Sequence, residues 1–165
     1  METIDGARGG FRLLFVCTGN TCRSPMAEVI ARRAVAELGW QNFEVRSAGI
    51  AALDGDRASG GAVRAATRSG LDLSEHSATL LTSEVVEWAD LVLVMSMGHL
   101  SRVGELGRRG NAALVTSFGE PQDAGGTGSV PDPIGGPDEH YLETFEFLEQ
   151  LIPRAVQRLE RDGER

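Results

Sequence analysis

Cysteine is scarce in this 165-residue chain: there are two, Cys17 and Cys22, and both fall in one short stretch. They leave no structural disulfide framework to build, and free thiols fit a reducing, cytoplasmic setting. The three histidines, His76, His99 and His140, are too scattered in sequence to suggest a zinc site, so no metal is expected. Positive charge is in deficit. A net charge of −8 argues against a nucleic-acid binder or a membrane-surface protein. No apolar run is long enough to span a bilayer. The first ten residues are polar with no apolar signal core, and are expected to form a flexible tail (1–10) ahead of one globular domain (11–161).

What the chain does have is a loop. Residues 11–16 form an apolar run that reads as a buried strand, and residues 24–38 read as a helix. Between them lie Cys17-Thr18-Gly19-Asn20-Thr21-Cys22-Arg23-Ser24-Pro25. The spacing is a cysteine, five residues, an arginine and a serine. In a tight strand-to-helix loop the backbone N–H groups of Thr18, Gly19, Asn20, Thr21, Cys22, Arg23 and Ser24 form an anion nest. The helix N-terminus adds its positive dipole end, and Arg23 adds a planar fork for two phosphate oxygens. The same field favours the thiolate of Cys17 at the base of the nest, whose free pKa of ~8.5 such surroundings lower. A phosphate held against a thiolate is set up for displacement at phosphorus. Ser24 is expected to cap the helix and donate to the Cys17 sulfur, Pro25 to take the first helical position, and Asn20 to hold a left-handed turn. The rest of the chain sits against a net negative background, which makes this anion-seeking loop a local feature.

Further strands are expected at 43–46, 91–95 and 113–115, and helices at 62–68, 83–89, 98–106 and 138–161. Ser83 reads as the cap of the third helix. Pro153 predicts a kink or break of the last helix near Leu151. Residues 47–61 read as loop, and 120–137 as a long loop rich in glycine and proline. The alternation gives a single α/β domain: an open, parallel, four-stranded sheet with helices on both faces and the phosphate loop at the carboxyl end of the first strand.

An acid is also needed, because a leaving group displaced from phosphorus takes up a proton. Asp132, stiffened by Pro131 and Pro133, is the leading carboxylate. Read alone, Asp-Pro is also ordinary turn punctuation. Asp123 and Asp138 are the fallbacks, read first as loop solvation and a helix cap.

Residues 16–28, Val-Cys-Thr-Gly-Asn-Thr-Cys-Arg-Ser-Pro-Met-Ala-Glu, resemble the phosphate loop of the low-molecular-weight protein-tyrosine phosphatases. The resemblance extends through Arg46-Ser47-Ala48-Gly49, Leu73-Ser74-Glu75-His76, the run 89–95 and Asp132-Pro133. It implies a metal-free, cofactor-free phosphatase with a phosphocysteine intermediate, a phosphorylated protein as substrate and inorganic phosphate as product. It implies Cys17 as nucleophile, Arg23 as phosphate ligand and Asp132 as general acid and base. It further implies that Ser47 and His76 buttress the loop with Asn20 and Ser24, and that Cys22 forms a reversible protective disulfide with Cys17. A monomer is expected. Thr18 and Thr21 together resemble the bacterial protein-arginine phosphatases within that family. Tyrosine-specific members usually carry a larger aliphatic residue at the position of Thr21, and often aromatics where Ile134-Gly135-Gly136 stand. Thr21 is therefore the expected specificity residue, its hydroxyl accepting from a guanidinium N–H. Tyrosine phosphatase activity is the runner-up. Arsenate reduction lacks a downstream resolving cysteine, and a non-catalytic phosphate-binding module would not be expected to keep Cys17, Arg23 and Asp132.

Overall fold

The computed structural model describes residues 10–107, 111–119 and 128–163. Asp123 and all but the last residue of the expected tail lie outside them. Four strands, β1 (Phe11–Cys17), β2 (Phe43–Gly49), β3 (Leu91–Val94) and β4 (Ala112–Leu114), form one sheet. Its order is β2-β1-β3-β4 and every pairing is parallel. The helices are α1 (Arg23–Glu37), α2 (Gly60–Arg68), α3 (Ser83–Trp88), α4 (Met97–Glu105), α5 (Val115–Gly119) and α6 (Asp138–Gly163).

β1 shows why helices cover both faces. Its side chains alternate between two cores. Leu13, Phe15 and Cys17 pack with residues of α1, α2 and α6, whereas Leu14 and Val16 pack with Val86, Val92, Val94 and Val103 on the side of α3 and α4. The chain runs from β1 outward to β2, then returns past β1 to β3. The reversal opens a crevice at the carboxyl ends of β1 and β3, where ligands of open parallel sheets bind.

Several local expectations shift. β2 runs on through Ser47, Ala48 and Gly49, residues read as loop from sequence, because the register Phe15↔Ser47, Val16↔Ala48 and Cys17↔Gly49 continues to the end of β1. α1 starts at Arg23 with Cys22 as its N-cap and no side-chain cap. Ser24 does not cap the helix because its hydroxyl is engaged elsewhere, and Pro25 is the third residue of the first turn, where its missing N–H forfeits no helical bond. Thr82, not Ser83, caps α3, its Oγ1 accepting from Val85 N at 3.2 Å. β4 starts one residue earlier than expected, and α5 follows it directly. α6 is a single helix through Pro153 rather than a broken one. Leu148, Leu151, Ile152, Ala155 and Val156 are each no more than 1% exposed. Burying four large side chains at about 1.5–3 kcal/mol apiece outweighs the ~3 kcal/mol that an interior proline costs. Among the described residues, no helix is long and apolar enough to cross a membrane.

Candidate active site

The loop from Cys17 to Arg23 leaves β1 and enters α1. Its carbonyls are paired outward: Cys17 O accepts from Ile50 N, Thr18 O from Ala51 N and Thr21 O from Ser59 N. Asn20 O accepts from His76 Nε2 at 2.7 Å, which fixes the proton on that nitrogen. No described residue accepts from the N–H groups of Thr18 to Cys22, as an anion nest needs. Asn20 takes the left-handed conformation, φ 57°. The loop rests on the end of β2, where a Cβ on Gly49 would lie 2.5 Å from Thr18 O and 2.8 Å from Asn20 N. Only glycine allows that approach.

Beneath the loop the hydrogen bonds have a derivable direction. Asn20, fully buried, donates from Nδ2 to Ser24 Oγ at 2.8 Å and to Ser47 Oγ at 2.9 Å. Its Oδ1 accepts from Thr79 N at 2.8 Å. Each serine oxygen therefore receives one bond and has its own proton to pass on. Ser47 donates to Glu28 Oε1 at 2.5 Å. Ser24 is left to donate to Cys17 Sγ at 2.9 Å. The Cys17 sulfur is buried at the base of the nest. A hydrogen bond donated to that sulfur suits its role as a leaving group from phosphorus.

Arg23 is 6% exposed and turns across the nest. Its Nη1 donates to Val130 O at 3.2 Å, and its Nη2 lies 3.3 Å from Asp132 Oδ2. Val130 N donates to Met95 O at 2.9 Å, so the segment carrying Asp132 is tied to the end of β3. Asp132 is the half-exposed carboxylate over the loop, its Oδ1 accepting from Ile134 N at 3.2 Å. Asp138 lies elsewhere: it is the first residue of α6, and Arg64 holds it through two bonds of 2.7 and 2.9 Å.

A model of the family described as low molecular weight phosphotyrosine protein phosphatase matches residues 12–165. The chain belongs to that family. It is 38% identical over 151 residues to a protein-arginine-phosphatase of Geobacillus stearothermophilus, covering 91% of this chain and 97% of that one. It is 33% identical over 142 residues to the low molecular weight protein-tyrosine-phosphatase PtpB of Staphylococcus haemolyticus, covering 86% and 94%. Among solved structures, a cysteine-to-serine variant of the YwlE arginine phosphatase with a phosphorylated active-site serine gives a TM-score of 0.83 at 34% identity. That likeness covers 93% of this chain and 99% of that one.

Two features of this low-molecular-weight phosphatase, the placements of Tyr141 and His99, were hidden in the sequence. Tyr141 is 6% exposed and packs against Cys22 of the loop. A Cβ on Gly61 would lie 2.3 Å from its ring, and its hydroxyl is 3.9 Å from Cys22 Sγ. Burial, with Cys22 beside it, pushes the phenol above its ordinary pKa. Cys22 is a free, buried thiol whose sulfur also lies 3.0 Å from Ser59 Oγ. His99, weighed only as a metal ligand, is 3% exposed and contacts Thr18 in the phosphate loop. A serine three residues before a histidine at a helix start was the signal: Ser96 Oγ accepts from His99 N and lies 3.0 Å from Nδ1. Thr21 is half-buried, with its hydroxyl 3.8 Å from Cys22 Sγ, and Ile134 is 61% exposed beyond Asp132. Among the described residues no group of three His, Cys, Asp or Glu could hold a metal ion.

Proposed function

We propose that the protein is a cysteine-dependent protein-arginine phosphatase. The observation that carries the chemistry is the unpaired N–H nest with the Cys17 sulfur at its base, Ser24 donating to that sulfur and Arg23 joining the nest to Asp132. The nest and Arg23 hold the three non-bridging oxygens of the phosphoryl group. The Cys17 thiolate attacks phosphorus and the P–N bond breaks. Asp132 delivers a proton to the departing guanidine nitrogen. The resulting carboxylate takes a proton from water, whose oxygen attacks phosphorus. The P–S bond breaks, Cys17 leaves with its electron pair, and inorganic phosphate is released. The phosphorylated serine of the YwlE variant supports covalent transfer to the residue at the nucleophile's place.

The names of the Geobacillus and YwlE relatives support phosphoarginine as the substrate, together with the Thr21 hydroxyl and the lack of aromatics after Asp132-Pro133. Thr21 accepts from a guanidinium N–H, a contact that a phenol ring cannot use. The enzyme works as a cytoplasmic monomer on phosphorylated proteins, and Cys22 resolves oxidised Cys17 as a disulfide. The test is kcat/KM for matched phosphoarginine and phosphotyrosine peptides in the parent and in Thr21→Ile. A lost bond to a charged group is worth about 1.5–3 kcal/mol, so phosphoarginine hydrolysis should fall by roughly one to two decades while phosphotyrosine hydrolysis holds or rises. A parent that prefers phosphotyrosine, or a parallel loss on both substrates, would make this an ordinary tyrosine phosphatase of the family.

A further inference from the structure

The geometry points to His99 as a positioning residue that orients Arg23 through the Thr18 hydroxyl. This rests on the reading that Arg23 binds the transferred phosphoryl group. His99 stands in the first turn of α4, buried against the loop, with Nε2 2.9 Å from Thr18 Oγ1. Thr18 Oγ1 lies 3.5 Å from Arg23 Nη2. A guanidinium only donates, so the Thr18 oxygen accepts from Arg23. In the proposed chain the one hydroxyl proton of Thr18 points to His99 Nε2, which then presents its lone pair. The ring proton therefore sits on Nδ1 and is donated to Ser96 Oγ, the oxygen that also caps α4.

All bonds in this chain run one way: Arg23 donates to Thr18, Thr18 to His99, and His99 to Ser96. It works only with a neutral imidazole, because a doubly protonated ring has no lone pair for Thr18 and adds a cation beside Arg23. Burial, and then the Arg23 charge, hold the ring down to a pKa of about 4, against the opposing pull of Asp132. Arg23 is thus held on two sides. Val130 and Asp132 take it from the acid segment. Thr18, backed by His99, takes it from within the loop. The second hold keeps the guanidinium in the plane of the nest when substrate arrives and Asp132 turns to the leaving group.

The experiment is a double-mutant cycle on His99→Phe and Thr18→Val, with His99→Gln as the conservative variant. Each measurement is kcat/KM for a phosphopeptide together with competitive inhibition by inorganic phosphate. His99→Phe keeps bulk and removes the acceptor. Thr18→Val keeps shape at a solvent-exposed position and removes the hydroxyl. Each single variant should lose about tenfold in kcat/KM and bind phosphate correspondingly less well. The double variant should lose no more than the worse single, because both cut one chain. His99→Gln should recover most of the loss, since its amide oxygen reaches where the Nε2 lone pair stood. Parent-like activity in Thr18→Val, or losses that multiply in the double variant, would overturn the proposal. Should His99→Phe fail to fold, Thr18→Val alone and in the His99→Gln background decides the same question. Failure of the phosphatase reading would show separately, as a parent enzyme that neither hydrolyses the peptide nor is inhibited by phosphate.

Discussion

Asn20→Asp tests the direction of the hydrogen bonds under the loop. The substitution keeps the size of the side chain and its tolerance of φ 57°. It also keeps an oxygen to accept from Thr79 N. What changes is the atom facing Ser24 and Ser47: an NH2 that donates at 2.8 and 2.9 Å becomes an oxygen that accepts. Both serines must then turn their protons to it. Ser47 leaves Glu28, and Ser24 leaves the Cys17 sulfur. A hydrogen bond to a charged group is worth about 1.5–3 kcal/mol, so the chemical step should slow by roughly one to two decades. The assay is single-turnover hydrolysis of 4-nitrophenyl phosphate with the enzyme in saturating excess, and folding checked by circular dichroism. Ser24→Ala removes the same bond directly and should cost a similar amount. In the Ser24→Ala background, Asn20→Asp should then cost little more, because the proton it redirects is already gone. An Asn20→Asp enzyme within about twofold of the parent, or an undiminished loss in the Ser24→Ala background, would refute the assigned proton positions.

His99 also predicts acid sensitivity. Its folded-state pKa of about 4 lies below the ordinary 6.5, so the unfolded chain takes up the proton first as pH falls. Stability should be lost between those two values and level off below them, by roughly 3 kcal/mol from this group. Urea unfolding at pH 7 and pH 4 should show that extra loss in the parent and not in His99→Gln; equal losses would contradict a buried neutral ring. Mild peroxide should inactivate the parent reversibly through a Cys17–Cys22 disulfide, with activity restored by a thiol reductant. Cys22→Ser should instead be damaged irreversibly, because sulfenic acid then has no internal partner; full thiol rescue of that variant would count against the switch.

The phosphate loop was legible because its chemistry is local. Backbone nest, arginine and cysteine all lie in one strand-to-helix connection, and the apolar runs flanking it name the elements. The four parallel strands were legible as short segments between helical patterns, β1 and β3 from their apolar runs and β2 from the alternation of Phe43 and Val45 with Glu44 and Arg46. What sequence could not show depended on partners far along the chain. Ser47-Ala48-Gly49 has no strand character of its own and is extended only because β1 pairs with it. Ser24 looked like a helix cap because serine at a helix start ordinarily is one, whereas Asn20 and Cys17 claim its hydroxyl here. Pro153 looked like a break because its local cost is plain and the buried face that offsets it is not. His99 was passed over because a histidine suggests a metal first, and its contact with Thr18 spans from the end of β3 back to the end of β1.

The central claim is that Cys17 carries the phosphoryl group during turnover. The direct measurement is intact-mass and peptide mass spectrometry of the enzyme quenched while it turns over 4-nitrophenyl phosphate. The account predicts one added phosphoryl group, mapped to Cys17 and lost as hydrolysis completes, with none formed in Cys17→Ala. Steady turnover without any adduct, or an adduct on another residue that persists in Cys17→Ala, would contradict it.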